Sequence, residues 1–393
     1  MPSPQSNKAD ALFSVWIITG LLLYVAGFYL APSSKAQYVT LYIGLILPAL
    51  YFSFWRFREY YLSDNRILLW ILVALFILYL PSLWADSAST LNTLRKNLKG
   101  VLFVLSLAVA IKHVSLHSPQ LVRRLPGLIV ACTVISMLVF FVELAQHGVR
   151  PGGNMAWGTL ADNPNETGLA LAAGLICLLP FMSVSPRWPA ALLTLPLLAA
   201  IYLAYSRSAM LGLAVTLPFA VLFSLAGYRA ALAFLGVCLA GALTLVALMA
   251  SGHLDANALL SKRPALWMDF FTHNPGFHWL WGAGLSESVT VYSETLSRKL
   301  EPHSLFFALG LRGGILALAT FGLLVTAAIR RHGLRATAGS IWLYLLLFGL
   351  VTQCFEGVYP VRRPNSFWLY TWLPLLILLL HHPQPSENTN DRA

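Results

Sequence analysis

Apolar residues in this chain come in long unbroken runs rather than in alternation. Runs lie near 12-31, 36-55, 66-84, 99-117, 126-146, 167-184, 188-205, 208-226, 229-251, 304-329, 340-359 and 365-380. A helix needs about 20 such residues to cross a hydrocarbon layer of roughly 30 Å. Within lipid every backbone N–H and C=O must be satisfied by the segment itself, so continuous runs predict helices. The pattern predicts an all-α integral membrane protein of about twelve transmembrane helices.

Composition agrees. The chain has 393 residues, 58% of them hydrophobic and 10% charged, with a mean hydropathy of +0.70. A water-soluble core of that size would lack polar residues to cover it. The first ten residues, "MPSPQSNKAD", are polar, and the run after them is long and has no small-residue cleavage site, so the first helix reads as retained rather than as a signal peptide. Cys132, Cys177, Cys238 and Cys354 fall within predicted runs and far apart in sequence, which reads as small core hydrophobes and gives no zinc or redox signature.

No low-complexity linker divides the chain, so residues 1–393 read as a single polytopic domain. One insertion, about 252–303, separates the ninth and tenth runs, and a segment of that length is rarely structureless. Its first part, "ANALLSKRPALWMDFFTHN", has apolar residues at helical spacing, and its last, "ESVTVYSETLSRKLEPH", suits a shorter helix. Trp279 and Trp281 between them suit a membrane interface. A helical insertion is therefore expected.

The formal net charge of +11 bears on orientation. With both termini on one face, the 26 Lys and Arg residues divide evenly between the two sides, so charge counting alone does not orient the chain. The clusters "RFREYYLSDNR", "LVRRLP" and "RRHGLR" look like ordinary cytoplasmic anchors. That leaves an excess outside, including Lys96, Arg150, Arg207, Arg263 and Arg312. External cations also serve by touching headgroups or snorkelling. Arg207, in "YLAYSRSAMLGLA", has almost no loop around it and is held near the hydrocarbon edge, where a charge is costly and usually functional. Arg312, inside the tenth run, is either a second such case or a snorkelling side chain. Several arginines around one external cavity suit a phosphate or pyrophosphate, whose oxygens the planar guanidinium binds two at a time.

Three short stretches carry a more specific pattern: "SRSAML" at 206–211, "KRPALW" at 262–267 and "PHSLFFALGLRGG" at 302–314. In this order they resemble the O-antigen ligase family, within a wider superfamily that includes O-antigen polymerases and protein O-oligosaccharyltransferases. Arg207 with Leu211, Arg263 with Trp267, His303 with Ser304, and Gly314 ten residues beyond that Ser match the family pattern. Ala317 stands where a further Gly is usual. "ADNPNETG" also resembles a segment of the superfamily, and is alternatively a plain turn and helix cap.

The resemblance implies transfer of a glycan from undecaprenyl pyrophosphate to a sugar hydroxyl of lipid A-core. The reaction would take place at the periplasmic face of the bacterial inner membrane, with no cofactor, no metal and no nucleic-acid partner. His303 would take the proton of the attacking hydroxyl, a task imidazole suits at neutral pH. Arg263 and Arg207 would hold the pyrophosphate and offset its growing charge. Arg150, Lys96 and Arg312 are secondary candidates for binding substrate.

Other readings stay open. Pro302-His303-Ser304 also fits an ordinary helix start. Glu143 and Glu356, near external helix ends, read as structural partners of Arg or Lys. The same chemistry with another acceptor would make the chain a polymerase or a protein glycosylating enzyme. A lipid-linked glycan transporter would also need many helices and a cationic cavity, with charges or broken helices near the midplane.

Overall fold

The structure is a computed structural model that describes residues 4–63, 66–80, 90–149, 164–182, 188–251, 253–255, 263, 278–282, 291–293, 298–300, 303–332, 340–357 and 365–381. These form helices α1 (Pro4–Leu30), α2 (Ser34–Val39), α3 (Leu47–Trp55), α4 (Ile67–Tyr79), α5 (Thr90–His117), α6 (Pro119–His147), α7 (Pro164–Met182), α8 (Trp188–Leu203), α9 (Arg207–Ala250), α10 (Leu305–His332), α11 (Ser340–Gln353) and α12 (Leu373–Leu380). A π-helical segment, Thr40–Ile46, joins α2 to α3, and another, Trp368–Trp372, leads into α12.

Among the described residues, seven helices are long and apolar enough to cross a membrane: Lys8–Leu30, Lys35–Trp55, Leu94–His117, Pro119–His147, Pro164–Met182, Arg207–Met249 and Leu305–His332. Four shorter apolar helices accompany them: Ile67–Leu78, Trp188–Leu203, Ile341–Gln353 and Trp368–Leu380. This is a helical membrane protein. Its outward side chains are apolar, Leu225 being 83% and Leu195 70% exposed, which suits lipid and not water. At 1.5 Å per residue, α9 runs about 66 Å, roughly twice the hydrocarbon thickness. Gly227, at φ 80° and ψ 177°, breaks it.

Helix α7 lies at the centre, with Thr167 through Leu178 all buried. It packs on α6, α8, α9 and α11. Lipid tails offer helices no hydrophobic drive to associate, so such contacts depend on close backbone approach through small residues. Gly20 of α1 lies against the backbone of Gly44, and Gly174 of α7 against Thr133 of α6; a Cβ at either glycine would collide. Tyr29 of α1 donates from its hydroxyl to the Ala170 carbonyl, 3.1 Å away, tying α1 to α7.

Two expectations are corrected. Within the insertion, Val291–Ser293 pairs antiparallel with Arg298–Leu300, so this part is a strand pair and not the expected short helix, in a fold that is otherwise helical among the described residues. The sequence "VTVY" explains it, since β-branched and aromatic residues favour an extended chain. The helix expected over the first part of the insertion lies outside the described residues, save Arg263, which is helical. Cys354 is exposed rather than in a core, because α11 stops at Gln353, short of the apolar run that predicted it.

Candidate functional site

At one pole of the bundle α7, α9 and α10 begin and α11 ends. The starts of α9 and α10 use the same device. Tyr205, at φ 56°, precedes Ser206, whose Oγ accepts from the Ala209 N–H at 3.3 Å. His303, at φ 46°, precedes Ser304, whose Oγ accepts from the Phe307 N–H at 3.3 Å. Each Ser is an N-cap, satisfying one of the donors that the first turn of a helix leaves over. A non-glycine residue in the left-handed region is strained, and such residues persist where the surrounding structure fixes them.

These starts are tied together through Asn165 and Glu356. Ser206 donates from its hydroxyl to the Asn165 carbonyl in the first turn of α7, at 3.4 Å. Gly168, one turn further along α7, leaves the room that Ser206 fills. Asn165 Nδ2 donates to Glu356 Oε1 at 3.1 Å. The same oxygen accepts from Arg263 Nη2 at 3.0 Å. The main-chain oxygen of Glu356 accepts from the Leu305 N–H at 3.2 Å, next to the Ser304 cap. Glu356 therefore joins four segments: α7, the insertion, the start of α10 and the end of α11. The Arg263 and Glu356 side chains are 19% and 13% exposed, so the pair is largely withdrawn from water.

The insertion docks on α10 close by. Gly314, at φ 62°, interrupts α10, and the freed N–H groups of Ile315 and Leu316 donate to the carbonyls of Trp279 and Leu280 at 2.8 and 3.2 Å. A Cβ on Gly314 would strike the Leu280 carbonyl, and one on Gly282 the backbone of Arg312. The two glycines let chain meet chain. Trp279, Leu280 and Trp281 stay exposed, as interfacial side chains would.

Of the residues singled out from sequence, Arg263 and His303 are brought to this cluster, one through its side chain and the other through the backbone beside Ser304. Arg207, the first residue of α9, stands there with an exposed side chain. Arg312 is 1% exposed, so snorkelling is overturned. Lys96 is half-buried near the start of α5. Arg150 lies outside the described residues. Among the described residues Glu143 pairs with His147 at 3.4 Å and with no Arg or Lys. Sequence reasoning missed Asn165, although "NPNETG" had been singled out, and did not give Glu356 its joining role. The available signal was a carboxylate in a short segment between apolar runs near external arginines.

The arrangement gathers helix starts, arginines and an imidazole at one pole. Three helix N-termini direct unsatisfied N–H groups and the positive ends of their dipoles to this pole. Arg207 and Arg263, the latter paired with Glu356, add guanidinium groups, and His303 an imidazole. The chain is similar to an O-antigen ligase from Pseudomonas aeruginosa strain PAO1, 29% identical over 197 residues that cover 48% of this chain and 47% of that protein. The chain thus matches about half the length of this curated relative. No family's sequence profile matches the chain, and no solved structure matches it.

Proposed function

We propose that the protein is a glycosyltransferase of the O-antigen ligase kind. In this reading it moves a glycan from undecaprenyl pyrophosphate to a sugar hydroxyl of lipid A-core, completing lipopolysaccharide. The observation that carries it is the joining of Arg263, Asn165 and the start of α10 through Glu356. Arginine, helix N-termini and a histidine are what a pyrophosphate donor and a hydroxyl acceptor require. The similarity to the Pseudomonas ligase supports the same reading.

The acceptor hydroxyl attacks the anomeric carbon, and its proton passes to the imidazole of His303. The bond from that carbon to the pyrophosphate oxygen breaks, and the pair of electrons leaves with the pyrophosphate. Arg263 and Arg207 offset the charge that develops there, the contribution that usually dominates catalysis. Lys96 and Arg150 would bind outer phosphates. Arg312, being enclosed, supports the break in α10. Attack from the face opposite the leaving group inverts the anomeric configuration in one step, and these residues carry it out without a metal.

The membrane topology follows from the reading. Gly227 divides α9 into two crossings, which with the four shorter helices gives twelve. The site then faces the periplasm of the inner membrane, and residues 252–303 form the periplasmic insertion of a single membrane domain. The test is reconstitution with undecaprenyl pyrophosphate-linked glycan and lipid A-core in EDTA, followed by the gel shift of the acceptor. Acceptor carrying the glycan is the expected product. Lengthened donor chains, or a glycosylated peptide when one is supplied, would replace the ligase assignment with polymerase or protein glycosylation.

A further inference from the structure

Two of the helices that begin at the site, α7 and α10, have their other ends at a second feature, where α11, which ends at the site, begins. A cavity of about 160 Å³ lies between the start of α6, the end of α7, the end of α10, the start of α11 and the end of α12. Its polar wall is Arg123, His332 and His381; Trp342, Phe181 and Ile377 are among its apolar lining. His332 and His381 are buried, at 9% and 8% exposure, while Arg123 is exposed at the rim. Among the described residues no carboxylate lines the cavity and Arg123 makes no ion pair.

The charge here exceeds what the helix ends call for. Arg330, Arg331 and His332 occupy the last turn of α10, where cations complement the negative end of the dipole. Arg123 has no such reason, since it stands in the second turn of α6, toward that helix's positive end. An anion in the cavity would satisfy the arginine.

Size and lining narrow the anion. The cavity is smaller than the roughly 300 Å³ at which pockets enclosing whole drug-sized ligands begin, yet well above the 10–15 Å³ or so that one water needs. It takes a phosphate group with a small substituent. Phe181, 42% exposed, continues the apolar wall outward, as acyl chains running into the bilayer would need. Basic pockets between membrane helices near the interface are a recurring site for anionic headgroups. We propose that this pocket binds the phosphate of an anionic phospholipid, with Arg123 as its principal cation, at the end of the bundle opposite the candidate active site.

The test is native mass spectrometry of the purified protein, titrated in separate runs with phosphatidylglycerol, phosphatidylcholine and glycerol 3-phosphate. Wild type is expected to retain one phosphatidylglycerol more tightly than phosphatidylcholine. Arg123→Gln should weaken that binding about fivefold, the effect of one cation near an anionic lipid surface. Arg123→Lys should keep most of it. Arg229→Gln, which removes an exposed arginine outside the pocket, should change nothing. Equal retention of the two lipids, or unchanged binding in Arg123→Gln, overturns the proposal. Glycerol 3-phosphate binding as tightly as the lipid would overturn the lipid assignment in favour of a soluble phosphate ester. The Gln and Lys variants are compared only where both elute as wild type on size exclusion, and because Arg123 is exposed both are expected to do so. None of these outcomes depends on ligase activity.

Discussion

Glu356 Oε1 accepts from Arg263 at 3.0 Å and from Asn165 at 3.1 Å, so a single carboxylate oxygen fixes a guanidinium of the insertion against the first turn of α7. An arginine held by one edge keeps its remaining N–H donors for another anion. Glu356 is on this view a positioning residue for Arg263.

Glu356→Gln is expected to keep the main-chain bond to Leu305 while loosening Arg263. A misplacement of about 1 Å costs on the order of 100-fold in rate, and a similar fall in ligation is expected. Stability should drop by about 1.5–3 kcal/mol, the usual value of a hydrogen bond to a charged group. The double variant with Arg263→Gln should be little worse than Arg263→Gln alone, because the two act as a unit. Independent, multiplying losses in that cycle would falsify the positioning role.

Arg207 calls for a different outcome. As the first residue of α9 it sits at the positive end of the helix dipole, where a cation is disfavoured by a few tenths of a kcal/mol. Its side chain is exposed. Arg207→Ala should therefore melt within about 0.5 kcal/mol of wild type, yet lose about 100- to 1,000-fold in turnover. Thermal unfolding and ligation measured on one preparation separate the two. A loss of activity that merely follows a loss of stability would make Arg207 a structural residue.

Gly314 is tested through the chain it lets in. Gly314→Ala forces a side chain into a left-handed conformation and against the Leu280 carbonyl. The cost is expected to be about 1–3 kcal/mol. Because the N–H groups of Ile315 and Leu316 donate to Trp279 and Leu280, faster hydrogen exchange should appear at those two amides. Unchanged exchange there would mean that the insertion does not depend on this contact.

The helices were legible because their signal is local: a long apolar run leaves the backbone no other way to satisfy itself in lipid. Which helices meet was not, since it depends on single small residues such as Gly20 and Gly174, whose partners are remote in sequence. Lys112 shows the same limit. Near the end of the apolar run at 99-117, it is 1% exposed and donates to the Tyr60 carbonyl at 2.9 Å. The cluster was half legible. Arg207, Arg263 and His303 stand out as charged or titratable groups at the ends of apolar runs, but Asn165 resembles any helix cap, and its link to Glu356 spans 191 positions. The strand pair was missed because the polar residues of "ESVTVYSETLSRKLEPH" were weighed above its β-branched ones.

His303 gives the sharpest separation of backbone from chemistry. At φ 46° it occupies a conformation that Asn and Gly accept readily and β-branched residues resist. If the residue matters only as a helix start, His303→Asn should work nearly as well as wild type, since it keeps the left-handed turn before Ser304. If the imidazole takes the proton of the acceptor, His303→Asn should fold within about 1 kcal/mol of wild type and form no glycan-acceptor product, because its amide is no base. His303→Val should instead lose about 1–2 kcal/mol from the backbone alone. The decisive comparison is His303→Asn and wild type at equal folded concentration, with donor binding followed separately. Intact binding with absent transfer assigns the proton to His303. Normal transfer by the Asn variant would leave His303 as a turn residue and require another base.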